Sequence, residues 1–278
     1  MRNNEKGVVL IIGASSGMGM ATAELLLEAG YVVYGAARRL EKMKRLESKG
    51  ARILAMDVTD EQSMVDGVNT IIQKEGRIDV LFNNAGYGSY GAVEDVPLEE
   101  AKRQFDVNLF GLSRMTQLVL PHMRKQRSGK IINNSSMGGR IFTPMGAWYH
   151  ASKHALEGYS DCLRLEVAPF GIDVVVIQPG SIESEWTGIM LENLRKTSGT
   201  SAYKDMTRAF MKMTKNMTGA ASSPKVIAET VKKAIEAKKP KTRYAAGKYA
   251  KPYMFLRKVV PDRMFDRNFH SMMRKQKG

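Results

Sequence analysis

The stretch Val8-Val9-Leu10-Ile11-Ile12-Gly13-Ala14-Ser15-Ser16-Gly17-Met18-Gly19 decides the fold. Its first five residues are apolar without a break. A strand with one wet face alternates apolar and polar residues, so an unbroken run reads as a strand buried on both faces. Three glycines follow, and residues 20–29 read as a helix ended by Gly30. Strand, glycine-rich loop and helix in that order make an anion site, because the helix N-terminus offers N–H groups and a positive dipole end to a diphosphate. The spacing is G-x-x-x-G-x-G rather than the commoner G-x-G-x-x-G.

Outward from this unit the pattern repeats. Residues 31–35, 52–56, 78–82, 130–134 and 172–177 read as further strands, with Arg243–Ala246 as the last. Between them the sequence predicts helices over 40–49, from Asp60 to residue 75, from Pro97 to about residue 122, over 146–169, and from Ser223-Pro224 to about residue 237. Alternation of this kind requires parallel pairing and helices on both faces: an α/β, doubly wound sheet of about seven strands, a Rossmann fold. Ligands of such sheets bind at the carboxyl ends of the strands, where the strand order reverses. The organisation expected is one domain over residues 1–247, with a mobile substrate lid at about 184–222, and a basic amphipathic extension over 248–278.

The chain has 278 residues and a formal charge of +15. Residues 1–193 hold 21 Lys and Arg against 23 Asp and Glu; residues 194–278 hold 22 against 5. The excess therefore lies wholly in the last third. It reads first as a solvated basic surface, and few aromatics are interleaved with it, so no nucleic-acid module is indicated. One cysteine, Cys162, excludes a disulfide framework. His122, His150, His154 and His270 form no ligand spacing, and no metal is expected. The polar start and the absence of long apolar runs predict a soluble, cytoplasmic protein.

Past the second strand the sequence reads Gly35-Ala36-Ala37-Arg38-Arg39. An acid near this point would bond a ribose 2′-hydroxyl and select NAD. Two arginines instead suit a dianionic 2′-phosphate, so NADP(H) is the preferred cofactor, with NAD(H) left open. Asp57, with Val58 after it, can accept from an adenine amino group, and Asn83-Asn84-Ala85-Gly86 forms a polar turn beside it. Tyr149 and Lys153 stand one helical turn apart on one face. An ammonium near a phenol favours the phenolate and lowers its pKa, which makes the tyrosine a proton donor and acceptor for a carbonyl or alcohol.

Taken together, Gly13-x-x-x-Gly17-x-Gly19, Asp57-Val58, Asn83-Asn84-Ala85-Gly86, Asn108, Ser136, Tyr149-x-x-x-Lys153 and Pro179-Gly180 resemble the single-domain short-chain dehydrogenase/reductase family over about residues 8–247. Within it the sequence is most similar to the hydroxysteroid- and retinol-dehydrogenase-like branch. The resemblance implies a tetrad: Asn108 holds a relay water, Ser136 bonds the substrate oxygen, Tyr149 moves the proton, and Lys153 holds the cofactor ribose and lowers the tyrosine pKa. It implies cofactor contacts from Gly13, Ser15, Ser16, Gly17, Met18 and Gly19, from Arg38, Arg39, Asp57, Val58 and Asn84, and from Pro179, Gly180, Ile182 and Ser184. It also implies a homodimer or homotetramer. Two residues depart from the family pattern: Ile12 and Ser184 stand where threonine is usual.

The implied function is an NADP(H)-dependent oxidoreductase for an apolar ketone or secondary alcohol. A non-catalytic NADP(H)-sensing regulator on the same fold is the alternative. The expected lid carries Trp186, Ile189, Met190 and Leu194, then Tyr203, Met206, Phe210, Met213 and Met217 at helical steps. Methionine adapts to varied apolar shapes. Phe142, Met145 and Trp148 are expected to wall the same pocket. The basic, amphipathic tail over 252–277 can lie on a membrane surface, but packing on a subunit or covering the pocket is the favoured reading.

Overall fold

The computed structural model describes residues 6–276. The polar start and the last two residues of the tail lie outside the described residues. The elements, in chain order, are β1 (Val8–Ile12), α1 (Gly17–Glu28), β2 (Val32–Ala37), α2 (Lys44–Ser48), β3 (Arg52–Ala55), α3 (Glu61–Glu75), β4 (Val80–Asn83), α4 (Leu98–Phe105), α5 (Gly111–Gln126), β5 (Gly129–Asn134), α6 (Ala147–Val167), β6 (Ile172–Pro179), α7 (Glu185–Ser198), α8 (Lys204–Thr218), α9 (Lys225–Glu236), β7 (Arg243–Ala246), α10 (Ala250–Val259) and α11 (Asp262–Arg274).

The seven strands form one parallel sheet in the order β3-β2-β1-β4-β5-β6-β7. Val8, Leu10 and Ile12 enter the core on one face, against α3, α5 and α6, while Val9 and Ile11 enter the other, against α1, α2 and α9. Both faces are covered, which is why the strand sequence does not alternate. The order reverses between β1 and β4. Register aligns Ile12 with Ala36 and with Asn83, and Asn83 with Asn133, so these strands end level and their following loops share one edge.

Local chemistry sets several boundaries. Asp60 Oδ1 accepts from the N–H groups of Gln62 and Ser63 and starts α3, which ends at Gly76 in the left-handed region. The stretch expected as one charged helix over 40–49 instead divides into a 3-10 turn, Leu40–Met43, and the short α2. The helix expected from Pro97 to residue 122 is interrupted by a π-turn, Asp106–Phe110, where the Gly111 N–H reaches back to the Asp106 carbonyl. The tail is two helices, split by the Val260-Pro261 turn. Phe265 and Phe269 of α11 pack with Ile141, and Met273 joins Met213 of α8, so the tail packs on the body. Among the described residues no helix is long and apolar enough to cross a membrane, and no cluster of potential metal ligands occurs.

Candidate active site

A crevice of about 870 Å³ follows the level strand ends. Gly13, Ser15, Ser16, Gly17 and Met18 form its floor at the start of α1. Gly13 and Gly17 hold φ of 82° and 52°, values at which a side chain would be strained. Ser16 is the N-cap but its hydroxyl makes no capping bond, so the first-turn N–H groups are left to an anion. Gly19 does not line the crevice. It lies beneath the loop, where an added Cβ would stand 2.2 Å from the Gly13 carbonyl oxygen. These features fit a dinucleotide diphosphate.

Arg38 and Arg39 flank one end, exposed beyond β2. Arg39 Nη2 lies 3.5 Å from Glu185 at the start of α7, and Lys42 Nζ lies 2.8 Å from the same carboxylate. Asp57 and Val58 line the crevice nearby. Asp57 Oδ1 is taken by the N–H and hydroxyl of Thr59, while Oδ2 faces Arg38 at 4.0 Å. Pro179, Gly180, Ile182 and Ser184 line the middle. Ile182 is held by a bridge to Ser222, and Ser184 is the N-cap residue of α7.

Asn84 and Asn134 tie the glycine loop to α6. Asn84 Nδ2 donates to the Gly13 carbonyl at 3.0 Å, and Asn134 Nδ2 donates to Asn84 Oδ1 at 2.9 Å. The Asn134 carbonyl in turn accepts from Lys153 Nζ at 2.9 Å. Lys153 is buried, and that burial lowers its pKa to about 8 against a smaller opposing pull from Glu157. Tyr149 is buried too. Burial raises its phenol to about 12, and the nearby Ser136 hydroxyl draws it partly back. Lys153, expected to lower this pKa, is not among the groups that act on the phenol, and desolvation sets the direction.

Ser136 lines the crevice, and its Oγ accepts the Gly138 N–H at 3.0 Å. Asn108 does not line it. The π-turn buries Asn108, whose Oδ1 accepts the Tyr87 N–H at 3.0 Å and whose Nδ2 donates to the Tyr87 carbonyl at 2.9 Å and to Ser152 Oγ at 3.1 Å. Gly86 separates it from Lys153: a Cβ there would lie 3.1 Å from Asn108 Oδ1 and 3.6 Å from Lys153 Nζ.

Sequence reasoning missed His150. Its Nδ1 bonds the Gly138 carbonyl at 2.9 Å and its Nε2 accepts from the Thr143 N–H at 3.1 Å. Burial lowers its pKa to about 4, so the ring is neutral and pins the 137–143 loop, and with it Ser136, to α6. Tyr90 was also missed. Its ring lies 5.6 Å from Tyr149 and 5.8 Å from Phe210, closing the apolar side. Nothing in the local spacing of either residue signals these long-range contacts.

The apolar arm beyond Tyr149 differs in part from expectation. Trp186, Ile189, Met190, Phe210, Met213 and Met217 line it; Leu194, Tyr203 and Met206 do not. Phe142, Met145 and Trp148 are not on the wall either, where Ile141 and Thr143 stand instead. Phe142 turns outward onto Phe265, Trp148 packs edge-on against Phe105, and Met145 is buried behind Tyr149. The far end is closed by Tyr253 of α10 and by Phe269 and Met272 of α11.

The model of the short chain dehydrogenase family matches residues 7–195. The chain is 40% identical to a 3-ketodihydrosphingosine reductase of Bacteroides thetaiotaomicron, over 86% of this chain and 87% of that protein. It is 33% identical to an NADPH-dependent 3-dehydrocapnine reductase of Ornithobacterium rhinotracheale, over 96% and 97% of the two chains. The crystal structure of a short-chain dehydrogenase from Streptomyces avermitilis superposes with a TM-score of 0.77 at 32% identity, covering 92% of each chain.

Proposed function

Because the chain belongs to the short chain dehydrogenase family, we propose that it is an NADP(H)-dependent reductase of an apolar ketone, able to run in reverse on the secondary alcohol. One observation carries this reading. A single crevice runs from exposed arginines, past a capless helix N-terminus, to a buried tyrosine and Ser136 and on to a methionine-lined arm.

A nicotinamide cofactor, when bound, supplies the hydride. The chain's own residues supply the rest. Arg38 and Arg39 take the 2′-phosphate, and the N–H groups at the start of α1 take the diphosphate. Ser136 Oγ holds the substrate oxygen, and Tyr149 Oη delivers the proton to it. With its phenol near 12, Tyr149 is fully protonated at neutral pH, as a donor in the reductive direction must be. Lys153, anchored on the Asn134 carbonyl, faces the phenolate left behind and the cofactor ribose. Asn108 positions the Tyr87 backbone and the relay water beside Lys153. The reductive direction and the NADPH preference are supported by the names of two relatives, both reductases and one NADPH-dependent. A homo-oligomer and peripheral contact of the basic tail with a membrane complete the reading.

The test is NADPH oxidation with a series of ketones of increasing chain length. Rates that rise with apolar length, and a clear preference over NADH, are expected. No turnover across the series, or equal use of NADH, would overturn it.

A further inference from the structure

Helices α10 and α11 have two faces with different work. The inner faces close the apolar arm, through Tyr253, Phe269 and Met272. On the outer side, Phe255 and Val259 of α10 are 68% and 57% exposed, and Met264 in the first turn of α11 is 59% exposed. Phe255 and Val259 are four residues apart and share a stripe, and Met264 follows across the Val260-Pro261 turn. Isolated exposed apolar residues need no explanation, but three large ones in succession at a helical corner do.

The charge around them has one sign. Residues 250–276 hold seven Lys and Arg against two Asp. One of those acids, Asp262, is paired with Arg257. Arg263, Arg267 and Arg274 stand at four- and seven-residue steps on one exposed stripe of α11. None of the three has an ion-pair partner among the described residues.

We infer that the outer face of α10 and α11 seats the protein on an anionic lipid bilayer, and that the substrate is a bilayer-resident amphiphile with one apolar chain that enters the arm past these helices. The proposal rests on the reductase reading for its second half only. Large aliphatic and aromatic tips beside unpaired cations suit the headgroup–acyl boundary, where the tips sink and the cations meet lipid phosphates. A nucleic-acid face would carry the cations without the exposed valine and methionine. The route is short, because a helix is about 10 Å across. The crevice wall and the bilayer would then be one helix apart, and a chain leaving the lipid would not cross bulk water.

The test is co-sedimentation of the full chain with phosphatidylcholine vesicles, with and without phosphatidylglycerol. Two triple variants are compared: Phe255→Ser with Val259→Ser and Met264→Ser, and Arg263→Gln with Arg267→Gln and Arg274→Gln. The wild type should partition only to anionic vesicles, and each variant should lower partition about tenfold or more. Turnover of a long-chain ketone presented in the vesicles should fall alongside, while turnover of a small water-soluble ketone and the melting temperature stay unchanged. Failure of the wild type to bind anionic vesicles overturns the proposal. So does binding that survives either triple variant. If the wild type binds vesicles but reduces no ketone, the reductase reading falls and the surface assignment stands.

Discussion

Lys153 Nζ donates to the backbone carbonyl of Asn134 at 2.9 Å, so the buried ammonium is held by the end of β5 and not by a carboxylate. Tyr149, one turn away, lines the same crevice as Ser136, which follows the same strand by two residues. A single strand end therefore anchors Lys153 and carries Ser136 to the crevice that Tyr149 lines.

Replacing Tyr149 by Phe removes the hydroxyl and keeps the ring packed between Tyr90 and Trp186. Turnover should fall by about 10²–10⁴. NADPH binding, followed by fluorescence titration, should change little. Wild-type turnover in this variant would reject the assigned proton transfer.

The buried Lys153 destabilises the fold at neutral pH. Its folded pKa of about 8 lies below its ordinary value of 10.5, so the unfolded chain holds the proton more tightly. The penalty is full below pH 8 and is relieved as pH rises from about 8 toward 10.5. Lys153→Met should therefore raise the melting temperature at pH 7, and the gain should shrink by pH 10, while turnover is lost. A variant that melts below the wild type at pH 7 would contradict this.

Arg38→Ala with Arg39→Ala should weaken NADPH about 10–100-fold and leave NADH nearly unchanged. Glu185 shares its carboxylate between Arg39 and Lys42. Glu185→Gln should accordingly tighten NADPH, because the arginine no longer has a competing anion. Calorimetric titration of both cofactors reads each effect.

Gly19→Ala places a methyl 2.2 Å from the Gly13 carbonyl and 2.7 Å from Asn84 Nδ2. Both are main-chain or network atoms with no room to move. Cofactor affinity should drop at least about tenfold, with a melting temperature lower by about 5 °C. Unchanged affinity would show that the loop is softer than its contacts suggest.

The sheet was legible because strands such as Val8–Ile12 and Arg243–Ala246 are bounded by turn residues and buried or paired in register. The cofactor edge was legible because short loops follow those strands directly. Sequence could not place what depends on tertiary contact. Phe142, Met145 and Trp148 lie between Ser136 and Tyr149 in the chain, yet Ile141 and Thr143 stand on the wall instead. The His150 clamp joins groups whose closeness only the folded 137–143 loop creates. The amphipathic tail was visible, with covering the pocket among its readings, but its division at Val260-Pro261 was not.

The π-turn over Asp106–Phe110 sets the phase of everything after it in that helix. One surplus residue rotates the following helix by about 100° relative to an unbroken one. Met115, Val119 and Met123 of α5 join the core against the sheet in that phase. Deleting one residue there would turn α5's apolar stripe toward water while it pulled Asn108 off Tyr87. Architecture and chemistry thus share a single structural joint, the turn that both phases α5 and seats Asn108 on Tyr87.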